Sequence, residues 1–165
     1  MSGRGAAARP GVPPDVREVN ERVVEQFRAG GEVDGMHRER LLLLTTTGRR
    51  SGRPRTTPMM FHRDGDRVLV VASNVGAPRH PDWFLNLVAD PAVTVEVGDD
   101  GGAPRQATAV PLEGAERAEV WEVLKRTYPF FAEHERATER TIPVVALVPA
   151  GDRGATGMDA AVGAT

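Results

Sequence analysis

Two hydrophobic periods divide the chain. In "DVREVNERVVEQFRA" (15–29), Val16, Val19, Val23 and Phe27 recur at helical spacing, with Asp15 placed to cap the start and Gly30-Gly31 to end it. "RLLLLTTT" (40–47) is apolar and β-branched without a break, which predicts a buried strand. "RTTPMMFHR" (55–63) reads as a second strand whose Pro58 must sit at an edge or bulge. "DGD" (64–66) marks a hairpin turn, and "RVLVVASN" (67–74) a third, buried strand. After a Gly/Pro loop (75–81), "DWFLNLVAD" (82–90) predicts a short helix with Trp83 and Leu87 on one face, capped by Asp82 and stopped by Pro91. "VTVEV" (93–97) and "RQATAVPL" (105–112) form a hairpin around "GDDGGAP". "EGAERAEVWEVLKRTY" (113–128) is amphipathic, with Val120, Trp121, Leu124 and Tyr128 on one stripe. Pro129 interrupts it, "FFAEHERATER" (130–140) predicts another short helix, and "TIPVVALVP" (141–149) a last strand.

Strands therefore come mostly in hairpins and do not alternate with long helices. That argues against a doubly wound parallel sheet and favours an α+β fold, mainly antiparallel, with the sheet curled into a small barrel and helices across its openings. The length of 165 residues suits one domain, placed at 15–149. The stretches 1–14 and 150–165 lack periodicity and read as flexible tails. The net charge of −2 argues against a nucleic-acid-binding surface, so any anion site must be local. There is no cysteine, which removes disulfides, thiolate metal sites and a cysteine nucleophile and fits a cytoplasmic protein. No run is apolar enough to span a bilayer, which leaves contact with the membrane periphery open.

Charge patterning changes the picture at one place. Within "TTTGRRSGRPRTTP" (45–58), Arg49, Arg50, Arg53 and Arg55 fall in seven positions. Of 21 basic residues 20 are Arg, a density that puts about one in any seven positions, so composition explains the residue type and not the clustering. A glycine-containing turn lets backbone N–H groups approach an anion, and guanidinium groups fit phosphate or carboxylate; a solvated hairpin tip is the plainer alternative. The sequence lacks the GxxxxGK[ST] phosphate loop. In "ASNVGAPRHPDWFLNL" (72–87), Ser73, Asn74 and the amides near Gly76 can meet a polar ligand, or the segment is an ordinary strand-to-helix connection. In "TYPFFAEH" (127–134), Tyr128, Phe130, Phe131 and His134 crowd at a helix break, as pocket wall or as core. His37, His62 and His80 have no metal spacing, and no metal site is expected. An anion-binding turn, a flat pocket and few catalytic side chains point to a cofactor that carries the chemistry itself.

Together these stretches resemble the deazaflavin (coenzyme F420)-dependent nitroreductase family of actinobacteria. The resemblance runs over residues 38–149 and rests on T-T-G-R-[RK]-[ST]-G-x-P-R, A-S-x-x-G-A and P-x-W-[FY]-x-N-L in combination. It implies a split β-barrel of the FMN-binding split-barrel type and an F420-dependent oxidoreductase. Such an enzyme transfers hydride from reduced F420 to a small electron-poor acceptor, such as a quinone, an enone or a nitro compound. It also implies residue roles. Arg49, Arg50, Ser51 and Arg55 would hold the cofactor's phosphodiester and carboxylate tail. Thr56, Thr57, Pro58, Met59 and Met60 would run beside its tricyclic ring, with Val71, Ala72, Ser73 and Asn74 bordering it. Asp82, Trp83, Phe84, Leu85 and Asn86 would close the site, and Phe131 would touch the cofactor. Tyr128 or water would supply the proton, with His134 the substitute donor. The family pattern has tyrosines where Met60, Phe131 and His134 stand, and lysine where Asn74 stands, so acceptor range does not carry over. The competing readings are an FMN-binding split-barrel oxidoreductase and a non-catalytic F420 carrier. Oligomeric state is open.

Overall fold

The computed structural model describes residues 14–33 and 37–150; the tails expected at 1–14 and 150–165 lie almost wholly outside these. Among the described residues seven strands form one antiparallel sheet in the order β2-β1-β5-β6-β7-β4-β3. They are β1 (Leu41–Thr47), β2 (Pro54–Met60), β3 (His62–Asp64), β4 (Arg67–Val71), β5 (Ala92–Val97), β6 (Arg105–Pro111) and β7 (Val144–Pro149). The helices are α1 (Pro14–Ala29), α2 (Asp82–Ala89), α3 (Gly114–Thr127) and α4 (Phe130–Arg136).

The expected strand 55–63 is two strands. β2 and β3 are the opposite edges of the sheet, yet a single residue, Phe61, separates them in the chain. The sheet must therefore curl until its edges meet at Phe61, whose ring is buried in the barrel interior. This is the split β-barrel expected from the family resemblance. Pro58 sits on an edge strand, as its missing N–H requires, opposite Leu43.

The run of leucines in β1 is explained by cover on both faces. Leu42 and Leu44 point into the barrel with Val95, Val97, Val145 and Leu147. Leu41 and Leu43 point outward under Val23 and Phe27 of α1. Val19, expected on the same stripe, is exposed. Glu96, opposite Leu43, also faces outward; its buried carboxylate accepts from Arg28 Nε at 3.0 Å and Nη2 at 2.9 Å, which ties α1 to β5. β7 divides in the same way: Val145 and Leu147 face the interior, Val144 and Ala146 the layer beneath α3 and α4. In that layer the stripe on α3 meets Phe131, and Glu135 accepts from Trp121 Nε1 (2.7 Å) and Lys125 Nζ (3.0 Å).

Several element ends differ from expectation. Asp82 does not cap α2: Pro81 is the cap residue, and the Asp82 carboxylate reaches Arg49. α1 starts one residue before Asp15. α4 stops at Arg136, four residues early, and β7 starts at Val144, after Pro143. β4 ends at Val71, because the chain leaves the ladder into a left-handed bend at Asn74 (φ +49°) and Val75 (φ +53°).

Candidate active site

The arginine turn is braced from inside. Gly48 N–H donates to Arg53 O and Gly52 N–H to Gly48 O, both at 2.8 Å, and Ser51 Oγ accepts from Arg53 N–H at 3.1 Å. A Cβ at position 48 would come within 2.7 Å of Ser51 Oγ, so a larger residue there would displace the Ser51 hydroxyl from its place in the turn. Asn86, 4% exposed, holds the turn from α2. Its Oδ1 accepts from the Arg49 backbone N–H (3.1 Å) and Nη1 (2.9 Å), and its Nδ2 donates to buried Thr46 Oγ1 (3.3 Å). Arg49 Nη2 also pairs with Asp82 at 3.3 Å. Arg50, Arg53 and Arg55 make no ion pair among the described residues.

These elements wall a groove of about 840 Å³. The turn gives it Arg49, Arg50 and Ser51; β2 gives Arg55, Thr56 and Thr57; α2 gives Asp82, Trp83 and Asn86. A wall not foreseen from sequence comes from α1, with Arg17, Asn20, Glu21 and Glu25. Arg53 does not line the groove.

Further along β2 lies a second, apolar cavity of about 250 Å³. Met59 and Met60 of β2 meet Val71 and Ser73 there, and the α3–α4 junction contributes Tyr128, Phe131 and His134. Two hydroxyl groups in its wall each touch an imidazole: Tyr128 Oη lies 3.1 Å from His62 Nδ1, and Ser73 Oγ 3.1 Å from His134 Nδ1. Phe130 and Phe131 pack between the Tyr128 and His134 rings. The remaining expected site residues line neither space. Ala72 and Phe84 are buried in the barrel core, and Leu85 packs on it. Pro58 lies in β2 between the two spaces, and Asn74 Nδ2 donates to Arg79 O.

Two participants carried no local signal. His62, on β3 at the far edge of the sheet, meets Tyr128 across the cavity, a pairing of residues 66 positions apart. Arg140 clamps the 72–80 segment: Nε donates to Ala77 O (2.9 Å), Nη2 to Ser73 O (2.7 Å), and Nη1 to Ala72 O (3.2 Å) and His80 Nδ1 (3.0 Å). That last bond needs His80 Nδ1 unprotonated. Burial, and then the Arg140 charge, lower the His80 pKa in keeping with this. Gly76 (φ +81°) completes the contact, since a Cβ there would stand 2.8 Å from the Ala137 methyl.

The split barrel thus carries an arginine-lined groove beside an aromatic, hydroxyl-bearing cavity. Residues 16–149 match the F420H(2)-dependent quinone reductase family, and the chain belongs to that family. The family depends on F420, so coenzyme F420 is the cofactor. The F420H(2)-dependent quinone reductase Rv1261c of Mycobacterium tuberculosis is 39% identical over 111 residues, covering 64% of this chain and 71% of that protein. A solved structure described as an F420-H2 dependent reductase (FDR-A) superposes with a TM-score of 0.58 at 38% identity, over 68% of this chain and 99% of that one. Another, described as a domain-swapped dimer, gives a TM-score of 0.60 at 40% identity, over 80% of this chain and 96% of that one. Among the described residues no helix is long and apolar enough to cross a membrane.

Proposed function

We propose that this chain reduces a quinone with reduced F420, holding the cofactor's anionic tail in the arginine groove and the reacting rings at the aromatic cavity. One observation carries the reading: a single strand joins the two spaces. Along β2 the rise is about 3.3 Å per residue, so Arg55 and Met60 stand about 16 Å apart. A ligand that uses both ends must be long, polyanionic at one end and flat and apolar at the other. Free phosphate or a bare aromatic ring satisfies only half of this, and FMN has a shorter, less charged tail than F420.

The residues divide the work. Arg50 and Arg55, unpaired in the groove, bind the tail; Arg49 is set by Asn86 and Asp82 and presents the rest of its guanidinium. Met59, Met60 and Phe131 exclude water from the cavity. Reduced F420, when bound, supplies a hydride from C5 of its deazaflavin ring. Tyr128 Oη holds the proton that the acceptor oxygen takes. With Nδ1 protonated, His62 donates to the phenol oxygen, freeing the Tyr128 O–H to face the acceptor and then restoring the proton. Ser73, backed by His134, offers a second donor.

The test is an equilibrium titration with F420 and FMN, followed by oxidation of reduced F420 across quinones, enones and nitro compounds. Tighter F420 binding and fastest turnover on quinones are expected. Equal affinity for FMN sinks the cofactor assignment. Binding without turnover on any acceptor leaves a carrier, and faster turnover on an enone or nitro compound replaces the quinone.

A further inference from the structure

The 72–80 segment holds a β-branched residue in a conformation that suits glycine. Val75 has φ +53° and ψ +29°, and Asn74 before it is also left-handed at φ +49°. Asparagine tolerates this region; for valine, with two branches crowding the backbone, it is an outlier. Strain of this kind persists only where the surroundings impose it. Here they do: Arg140 holds the carbonyls of Ala72, Ser73 and Ala77, Gly76 is pressed against α4, and Asn74 bonds to Arg79 O.

None of these devices uses the valine side chain. Val75 is 77% exposed and joins none of the buried hydrophobic clusters, so glycine would serve the fold at least as well. What the isopropyl group does face is the apolar cavity, whose wall it shares with Met60 and Phe130. Those two are also large hydrophobic residues left partly exposed, at 36% and 41%. Three apolar side chains thus stand at the mouth of a cavity of only about 250 Å³, below the usual range for ligand pockets of roughly 300–1,000 Å³.

We infer that Val75 is a specificity-determining residue of the acceptor cavity: its strained backbone holds the isopropyl group across the mouth, which admits a planar quinone edge and rejects bulky ring substituents. This rests on the quinone reductase reading. In such a pocket one methylene commonly changes discrimination by about 10- to 200-fold.

The experiment measures F420H2 oxidation with 1,4-benzoquinone and with 2,6-di-tert-butyl-1,4-benzoquinone, in wild type, Val75→Gly and Val75→Ala, together with each protein's Tm. Wild type should favour the small quinone. Val75→Gly should cut that preference by about tenfold or more, chiefly through the KM of the bulky quinone. Its Tm should hold or rise by about 1–4 °C, because relief of the left-handed strain outweighs glycine's extra chain entropy. Val75→Ala keeps an L-residue in the left-handed bend, so it should shift the preference in the same direction with less gain in Tm. An unchanged preference in both variants overturns the inference while leaving the reductase reading intact. So does an equal loss on both quinones with a lower Tm, which would make Val75 merely structural. If wild type reduces neither quinone, the parent reading fails and the inference goes with it.

Discussion

Replacing Asn86 tests whether the arginine turn is held from beneath. Asn86→Ala removes two hydrogen bonds to Arg49 and the bond to Thr46 Oγ1. At about 1 kcal/mol each, with the Arg49 pair partly hydrated after loss, the direct cost is about 2–3 kcal/mol. Thr46 is 1% exposed and its hydroxyl has no other side-chain partner among the described residues, so stranding it adds up to about 1 kcal/mol. Alanine's better helix propensity at this position in α2 returns about 0.6 kcal/mol. The net loss is about 2–3 kcal/mol, or about 5–10 °C in Tm for a chain of this size.

The effect on binding follows separately. A turn no longer pinned must be ordered when F420 arrives, at about 0.5–1.5 kcal/mol for the freed Arg49, which weakens affinity about three- to tenfold. Asn86→Asp splits the two effects. It keeps the acceptor for Arg49, so it should lose less stability than alanine. It also places a carboxylate under a site for a polyanion, so it should bind F420 more weakly than its stability suggests. Urea denaturation and fluorescence titration read both quantities. If Asn86→Ala stays within about 0.5 kcal/mol of wild type, the bracing account is wrong. If F420 affinity is unchanged in both variants, the groove is not where the tail binds.

The remaining predictions concern charge, proton supply and pH. F420 affinity should fall with rising ionic strength, and Arg50→Ala or Arg55→Ala should flatten that slope more than Arg53→Ala, whose side chain lies outside the groove; equal slopes in all three would detach the groove from the effect. Tyr128→Phe should slow single-turnover oxidation of bound F420H2 by up to about 10²–10⁴-fold with F420 affinity nearly intact, and His62→Ala should slow the same step by less; wild-type rates in both and in His134→Ala would leave solvent as the proton source. The folded state holds the His80 pKa below its ordinary value of 6.5, so the unfolded chain takes up the proton first as pH falls. Stability from this site is therefore fully present above pH 6.5 and drains below it, and His80→Gln should remove that component from a pH series of denaturation curves; an identical series refutes the clamp's pH sensitivity.

Most elements could be read from the sequence because each has one clear exposed face or none. The leucines of β1 and the stripe on α3 announce burial by pattern alone. The arginine turn was legible because its clustering exceeds composition, and the edge position of β2 because Pro58 lacks an N–H. What pattern could not supply was anything decided by distant pairs. Asn86 looks like an ordinary polar position in a short helix, and only the approach of α2 to the β1–β2 turn makes it a brace for Arg49. Asp82 reads as a cap by residue type, but Pro81 takes that place and the carboxylate turns to Arg49. The break at Phe61 was hidden for the same reason: barrel closure is a property of the whole sheet, and no local window around "MMFHR" contains it.

Both functional segments are loops, and both are fixed by one polar side chain from elsewhere in the fold. Asn86 takes the Arg49 amide as well as its guanidinium; Arg140 takes the carbonyls of Ala72, Ser73 and Ala77. Binding through main-chain atoms has a consequence for the loop side chains. Ser73 is gripped by its carbonyl, so its hydroxyl stays in the cavity wall with His134; Arg50 and Arg55 are not used to build the turn, so their charge stays unneutralised in the groove. Position and chemistry are thereby carried by different atoms of the same residues. Changes of side chain at Val75 or Arg50 should alter what is bound far more than whether the loop holds its shape, whereas loss of Asn86 or Arg140 should do the reverse. An Arg140 substitution that shifted acceptor preference without loosening the 72–80 segment, read by amide hydrogen exchange there, would contradict this division.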